Sequence, residues 1–277
     1  MSEEEIESHP KSMNTFINHD EDNILIVTRG HPFERDPFFE MIDSTGYSWT
    51  HTEHPAAQDY LISDSIKKYK AIVFYDMPGI DFETAPPKPT FFEPSNDFKS
   101  GFIDLLKSGI GCVFIHHSIA SWPLWEEYGN IVGGRFLYQP SIVKGIKKPD
   151  SGYRHDIKYT VSKTGSHPIT EGIKDFEITD ELYLAEIFEE DINPILSSSY
   201  EFKDSNFYSA ARALEGEMYS NKDWNHDDGS TIVGWTKNYE SSAIVYLQFG
   251  DGPSSYKNKN FRQLIKQSID WSINETS

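Results

Sequence analysis

The 277-residue chain holds a single cysteine, Cys112. One thiol excludes an intrachain disulfide framework and any metal centre built from several cysteines. No run of about 18 or more apolar residues occurs, so nothing reads as a membrane span. The acidic start, MSEEEIESHPKS, lacks an apolar h-region and does not read as a secretory signal, so the cytoplasm is the expected address. Positive charge is scarce: 25 Lys and Arg stand against 44 Asp and Glu, a formal charge of −19. Such a surface repels phosphate backbones and anionic lipid, so no nucleic acid or membrane partner is expected. The HxH and HExxH spacings are missing, so a metal site would have to be assembled from distant segments. There is no G-x-S-x-G frame and no internal repeat.

What is present is a run of buried strands. Residues 1–22 carry no periodicity and read as an acidic, loose leader; residues 23–277 read as one domain. Asn23–Thr28, Ala71–Asp76 and Cys112–His117 are short continuous apolar runs of the kind that fill a parallel sheet. Between them, Asp36–Ser44, Asp59–Tyr69 and Phe98–Lys107 carry helical spacing, and Tyr47–His54 reads as a further strand. Residues 80–95, with Pro86, Pro87, Pro89 and Pro94, read as an irregular excursion. Strand–helix units in this order predict an α/β fold with a parallel sheet and right-handed crossovers. The second half is β-rich: strands are expected over Tyr153–Lys163, Asp180–Phe188 and Pro194–Glu201. Thr231–Thr236 and Ser242–Phe249 read as a hairpin, and Asn258–Ile273 as a closing amphipathic helix.

Ligands in such sheets bind beyond the carboxyl ends of the strands. His31, Asp76, His116 and His117 all fall there. His116 and His117, read as neighbours on one strand, should point to opposite faces. His117-Ser118 would then hold the turn where related folds place a nucleophile, with His116 supporting it from behind. A strand-end imidazole can relay protons near neutral pH or ligate a metal. Asp251 lies in a glycine-flanked loop after a strand, and Glu181 and Tyr183 share one face of another. His155-Asp156 reads as turn chemistry or solvated charge. Trp122, Trp125 and Tyr128, at helical spacing, suit a core or a sugar-stacking face. Gly109-Ile-Gly-Cys precedes a strand and lacks a third glycine, so no nucleotide cofactor is expected. Cys112 starts its strand and reads as a buried structural thiol.

The stretch Gly111-Cys-Val-Phe-Ile-His-His-Ser-Ile-Ala-Ser-Trp122 and the run Glu127-Tyr-Gly-Asn-Ile-Val-Gly-Gly-Arg-Phe136 resemble the trehalose-utilisation (ThuA-like) family. So do His167-Pro-Ile-Thr-Glu-Gly172, Asp180-Glu-Leu-Tyr183, Gly234-Trp-Thr236 and the ending Gln248-Phe-Gly-Asp-Gly-Pro253 with Asn260-Phe-Arg262 and Trp271. The resemblance spans residues 23–274. It implies a flavodoxin-like, class I glutamine-amidotransferase-like parallel sheet flanked by helices, without that fold's cysteine nucleophile. It also implies a part in carbohydrate utilisation. Many members carry Gly-His where this chain has Gly250-Asp251, which puts a carboxylate in place of an imidazole.

On this reading the chain is an enzyme acting on a sugar, or a 3-keto sugar or glycoside, by acid/base chemistry with or without a divalent metal. His117, His31 and Asp251 are the expected catalytic groups, with His116, Asp76, Trp122, Glu181 and Tyr183 against the substrate. The expected partner is a small sugar, and self-association into a homo-oligomer stays open. A rival reading is a sugar-binding or sensor domain that keeps the fold without the chemistry. A hydrolase using Ser118 is a third.

Overall fold

Asn23–Arg29 forms β1, and six successive residues, Asn23–Thr28, are buried, as befits a β-branched and apolar run sandwiched between two layers. A computed structural model of the protein describes residues 23–82 and 89–275. The expected acidic leader, Pro86 and Pro87 lie outside the described residues. From β1 the chain runs through helix α1 (Arg35–Asp43), β2 (Ser48–Glu53), α2 (Ala56–Leu61), β3 (Ala71–Asp76), α3 (Asn96–Lys107) and β4 (Gly111–Ile115). β2, β1, β3 and β4 pair in parallel. Helix α3 starts cleanly because the Ser95 hydroxyl accepts the Phe98 N–H at 3.1 Å.

The second half adds α4 (Glu126–Val132), β5 (Gly152–Lys163), β6 (Phe176–Leu184), β7 (Asn193–Ser198), β8 (Ile232–Tyr239), β9 (Ser242–Leu247) and α5 (Lys259–Asn274). β9 joins β4 in parallel, and β8, β7, β5 and β6 follow in antiparallel pairs. With the two-residue strand Tyr208–Ser209 against β5, the described residues form one ten-stranded mixed sheet. The β-rich half is thus a continuation of the parallel sheet, joined at β9. None of the described helices is long and apolar enough to cross a membrane.

Alternation along β4 divides the core. Cys112 and Phe114 face one apolar layer, with Phe114 stacked on Phe74 at 4.6 Å, while Val113 and Ile115 face the other. Each buried side chain of this size contributes roughly 1.5–3 kcal/mol relative to exposure, so β4 is anchored from both sides up to its last residue.

Four local expectations need correction. The helix expected over Asp59–Tyr69 breaks after Leu61 into a 3-10 turn, Asp64–Lys68. There the Ser63 hydroxyl bonds the Tyr60 carbonyl at 2.8 Å and competes with the helical ladder. The excursion at 80–95 holds a short ladder between Ile80–Asp81 and Thr90–Phe91. Trp122 and Trp125 precede their helix, because Pro123 disfavours helical geometry at Trp122, which sits at φ +49°. Finally, β4 ends at Ile115, so His116 and His117 lie on the 3-10 turn that follows rather than on the strand.

Candidate functional site

The chain turns sharply where β4 stops. His116 takes φ +51°, a left-handed conformation that bulky residues rarely adopt and that costs about 1–3 kcal/mol. The strained residue after the strand is therefore His116, not His117. Its ring is fully buried. Nδ1–H donates to the Gln248 carbonyl at 2.6 Å, which sets the tautomer and turns Nε2 toward three oxygens. Tyr183 Oη lies at 2.9 Å, Glu181 Oε2 at 3.1 Å and Asp251 Oδ1 at 3.4 Å.

Asp251 follows β9, and its backbone is fixed by Asp180. The Asp180 carboxylate accepts the N–H groups of Gly250, of Asp251 at 3.0 Å and of Glu181 at 2.9 Å. The same β6 segment carries Glu181 and Tyr183, and the Tyr183 N–H donates to the Gln248 side chain at 3.2 Å. The outermost antiparallel strand is thereby tied to the carboxyl ends of the parallel ones.

With protons alone in the site, the electrostatics are strongly coupled. Burial works against charge on His116, but the contacts and charges of Asp251 and Glu181 outweigh it and hold the imidazole well above its ordinary range. Burial likewise opposes ionisation of Asp251, yet contact with His116 and its charge bring that carboxyl down to about 2. Asp180, buried without a cation in contact, is pushed up to about 6, the charge of His116 and the N–H donors offsetting only part of the burial.

The cluster opens on one side. Asp251 is part-exposed and lines a cleft of about 410 Å³ with Arg154, His155, Asp156, Tyr208 and Tyr219. His155 stands at a β-bulge, where the β5–β6 register shifts between Arg154 and Ile157 and Asp156 takes φ +54°. The bulge re-aims His155 so that its Nδ1 lies 3.1 Å from Glu181 Oε1. Glu181 thus bridges two imidazoles, one buried and one facing the cleft. The sequence reading took His155-Asp156 for turn chemistry; the available signal was an Asp interrupting an otherwise regular strand. Gln248 entered the sequence reading only as part of the family-like ending Gln248–Pro253, with no role attached. A larger open groove of about 670 Å³, between Leu61–Lys70 and Gly101–Ile110, lies at the opposite ends of β3 and β4.

The remaining candidates sit apart from His116 Nε2. His117 is buried between Tyr75 (ring centroids 4.3 Å apart) and His31 (4.7 Å), and neither of its nitrogens has a hydrogen-bond partner among the described residues. Burial, reinforced by His31 and His116, keeps it neutral, well below the usual range. Burial also lowers His31, against the pull of Asp251 and Glu181. Asp76 bonds His54 at 2.7 Å, and Trp122 packs edge-on against that histidine, so both belong to a separate buried pair. Burial raises the Asp76 carboxyl despite His54. Ser118 is buried and its hydroxyl has no hydrogen-bond partner among the described residues, so none of them stands as the base a serine nucleophile needs. Cys112 is a fully buried thiol whose ionisation burial opposes.

The family profile of ThuA, described as trehalose utilisation, matches residues 23–272. The chain belongs to this family. Membership implies a carbohydrate-related role for this ThuA-like protein. No curated protein matches its sequence. Among solved structures, a protein described as ThuA-like from Parabacteroides merdae aligns with a TM-score of 0.62 at 14% identity, covering 92% of this chain and 90% of that one. Another from Bacteroides uniformis gives 0.58 at 15% identity over 96% and 95%. A cytoplasmic protein of Salmonella typhimurium gives 0.54 at 10% over 90% and 98%. At such identities the likeness is one of fold, and it places this ThuA-like chain's mixed sheet with its flanking helices among them.

Proposed function

We propose that this protein is an enzyme acting on a sugar, or on a 3-keto sugar or its glycoside, by proton transfer in the cleft beside Asp251. The observation that carries the proposal is the double position of Asp251, which lines the open cleft and lies 3.4 Å from the buried His116. Tyr208 and Tyr219 supply aromatic faces, and Arg154, His155 and Asp156 supply the directional polar groups that sugar hydroxyls require.

In a 3-keto sugar the carbonyl acidifies the neighbouring C–H. His155, whose Nδ1 faces Glu181, leaves Nε2 available to take that proton, and Glu181 balances the charge that results. Asp251, an ionised carboxylate beside His116, would orient the substrate, and His155 would return the proton it took to the enolate or to a leaving oxygen. Isomerisation or elimination of a glycosidic group would follow.

The test is incubation of 3-keto-glycosides in D₂O, followed by NMR. Deuterium should enter beside the keto group, or the aglycone should be released, and His155→Gln or Asp251→Asn should abolish either signal. Saccharide binding without exchange or product over long incubation would overturn the enzymatic reading in favour of a binding module.

A further inference from the structure

His116 Nε2, Glu181 and Asp251 come from three separate elements, yet their ligand atoms all lie within 4.8 Å of one another. We propose that these three residues bind one divalent transition-metal ion, with its remaining positions open to the cleft. The proposal deepens the acid/base reading above and rests on it only for what the bound ion would do.

Geometry is the first argument. A tetrahedral ion held at about 2.1 Å by nitrogen and oxygen sets its donors about 3.4 Å apart. The Nε2 to Glu181 and Nε2 to Asp251 separations, 3.1 and 3.4 Å, already match that spacing. Hydrogen-bond capacity is the second. Nε2 can offer one proton, whereas the Glu181 and Asp251 carboxylates both stand against it, so one proton cannot serve both and a cation can.

The support around the ligands points the same way. Nδ1–H of His116 donates to a backbone carbonyl, the arrangement that leaves Nε2 as the lone-pair donor and fixes the ring for a metal. Glu181 has its other oxygen 3.1 Å from His155, which keeps one oxygen for the ion. A neutral imidazole with two carboxylates carries two negative charges, matching a divalent ion. Mixed nitrogen and oxygen donors favour Zn²⁺, Mn²⁺ or Fe²⁺ over Ca²⁺ or Cu⁺. An ion there would polarise a sugar carbonyl or hydroxyl entering from the cleft.

Chelator-stripped protein titrated by calorimetry with Zn²⁺, and separately with Mn²⁺, tests the site, with bound metal counted by elemental analysis. One equivalent should bind with a micromolar or tighter Kd, and Glu181→Gln and Asp251→Asn should each weaken it about tenfold or more. Circular dichroism checks the fold of both variants; should Glu181→Gln not fold, the part-exposed Asp251 carries the test. Several weak sites at millimolar metal, or stoichiometric binding indifferent to both substitutions, would overturn the proposal. The two readings fail separately. Tight stoichiometric binding without deuterium exchange removes the enzymatic reading and leaves the metal site. Exchange that survives in stripped protein that takes up no metal does the reverse.

Discussion

The His116 imidazole and the Glu181 carboxylate stand 3.1 Å apart although 65 positions separate them in the chain. Both are buried, at a depth where an ionisable group without an opposite partner is costly, and each meets the other there. Several expectations rest on how the surrounding chain holds this pair.

Asp180 accepts three backbone N–H groups, from Glu181, Gly250 and Asp251. In Asp180→Asn an amide NH₂ must face at least one of those donors. The variant should lose about 1–3 kcal/mol of stability. At roughly 2–4 °C per kcal/mol for a domain of this size, calorimetry should show a clear drop in Tm. An unchanged Tm would mean the carboxylate does not fix the loop.

Gly250 sits at φ +123°, and a Cβ there would stand 2.9 Å from the Phe261 ring and 3.0 Å from Ile115. Gly250→Ala should therefore destabilise the protein by more than 1 kcal/mol, through backbone strain and crowding together. Because the next residue is Asp251, turnover should fall further than stability explains. Comparing kcat well below the variant's Tm separates the two effects.

His51 is buried on β2 with Nε2 2.7 Å from the Thr28 hydroxyl. Burial, helped by Arg35, lowers it to about 4. The unfolded imidazole takes a proton below about 6.5, so between 6.5 and 4 the unfolded state binds more protons and stability falls as pH falls. The contribution is on the order of 3 kcal/mol across that window. Urea melts of wild type and His51→Gln at several pH values should show a shallower fall for the variant; parallel curves would refute the assignment.

Cys112 is wholly buried, its thiol 3.7 Å from the Ile110 carbonyl, and burial opposes the thiolate. An aromatic disulfide reagent should leave the native protein untouched and label one thiol per chain in denaturant. Rapid labelling of folded protein would place the thiol at a reactive surface.

The strands that build the site were readable from the sequence, because runs such as Ala71–Asp76 and Cys112–Ile115 are buried on both faces and have no polar alternation to confuse them. The closing helix was readable for the opposite reason, its single apolar stripe. Glu181, Tyr183 and Asp251 were named as candidates from their positions, yet nothing local showed that they meet His116. Their meeting depends on β6 returning from the sheet's edge, and on Asp180 gripping a loop some 70 positions away. That the left-handed residue after β4 is His116 and not His117 had no mark in the sequence. His155 was passed over because a bulge redirects it, and bulges leave little trace in composition.

The sheet order has a consequence for how competence arises during folding. β1 to β4 form a contiguous parallel block, but its fourth strand acquires its remaining neighbour only from β9, and His116 acquires its carboxylates only from β6 and the loop after β9. Such long-range closures are slow compared with local ones. In a chain emerging from the ribosome, the cluster around His116 can therefore close only after the second half has been made, because Gln248, Glu181 and Asp251 all lie there.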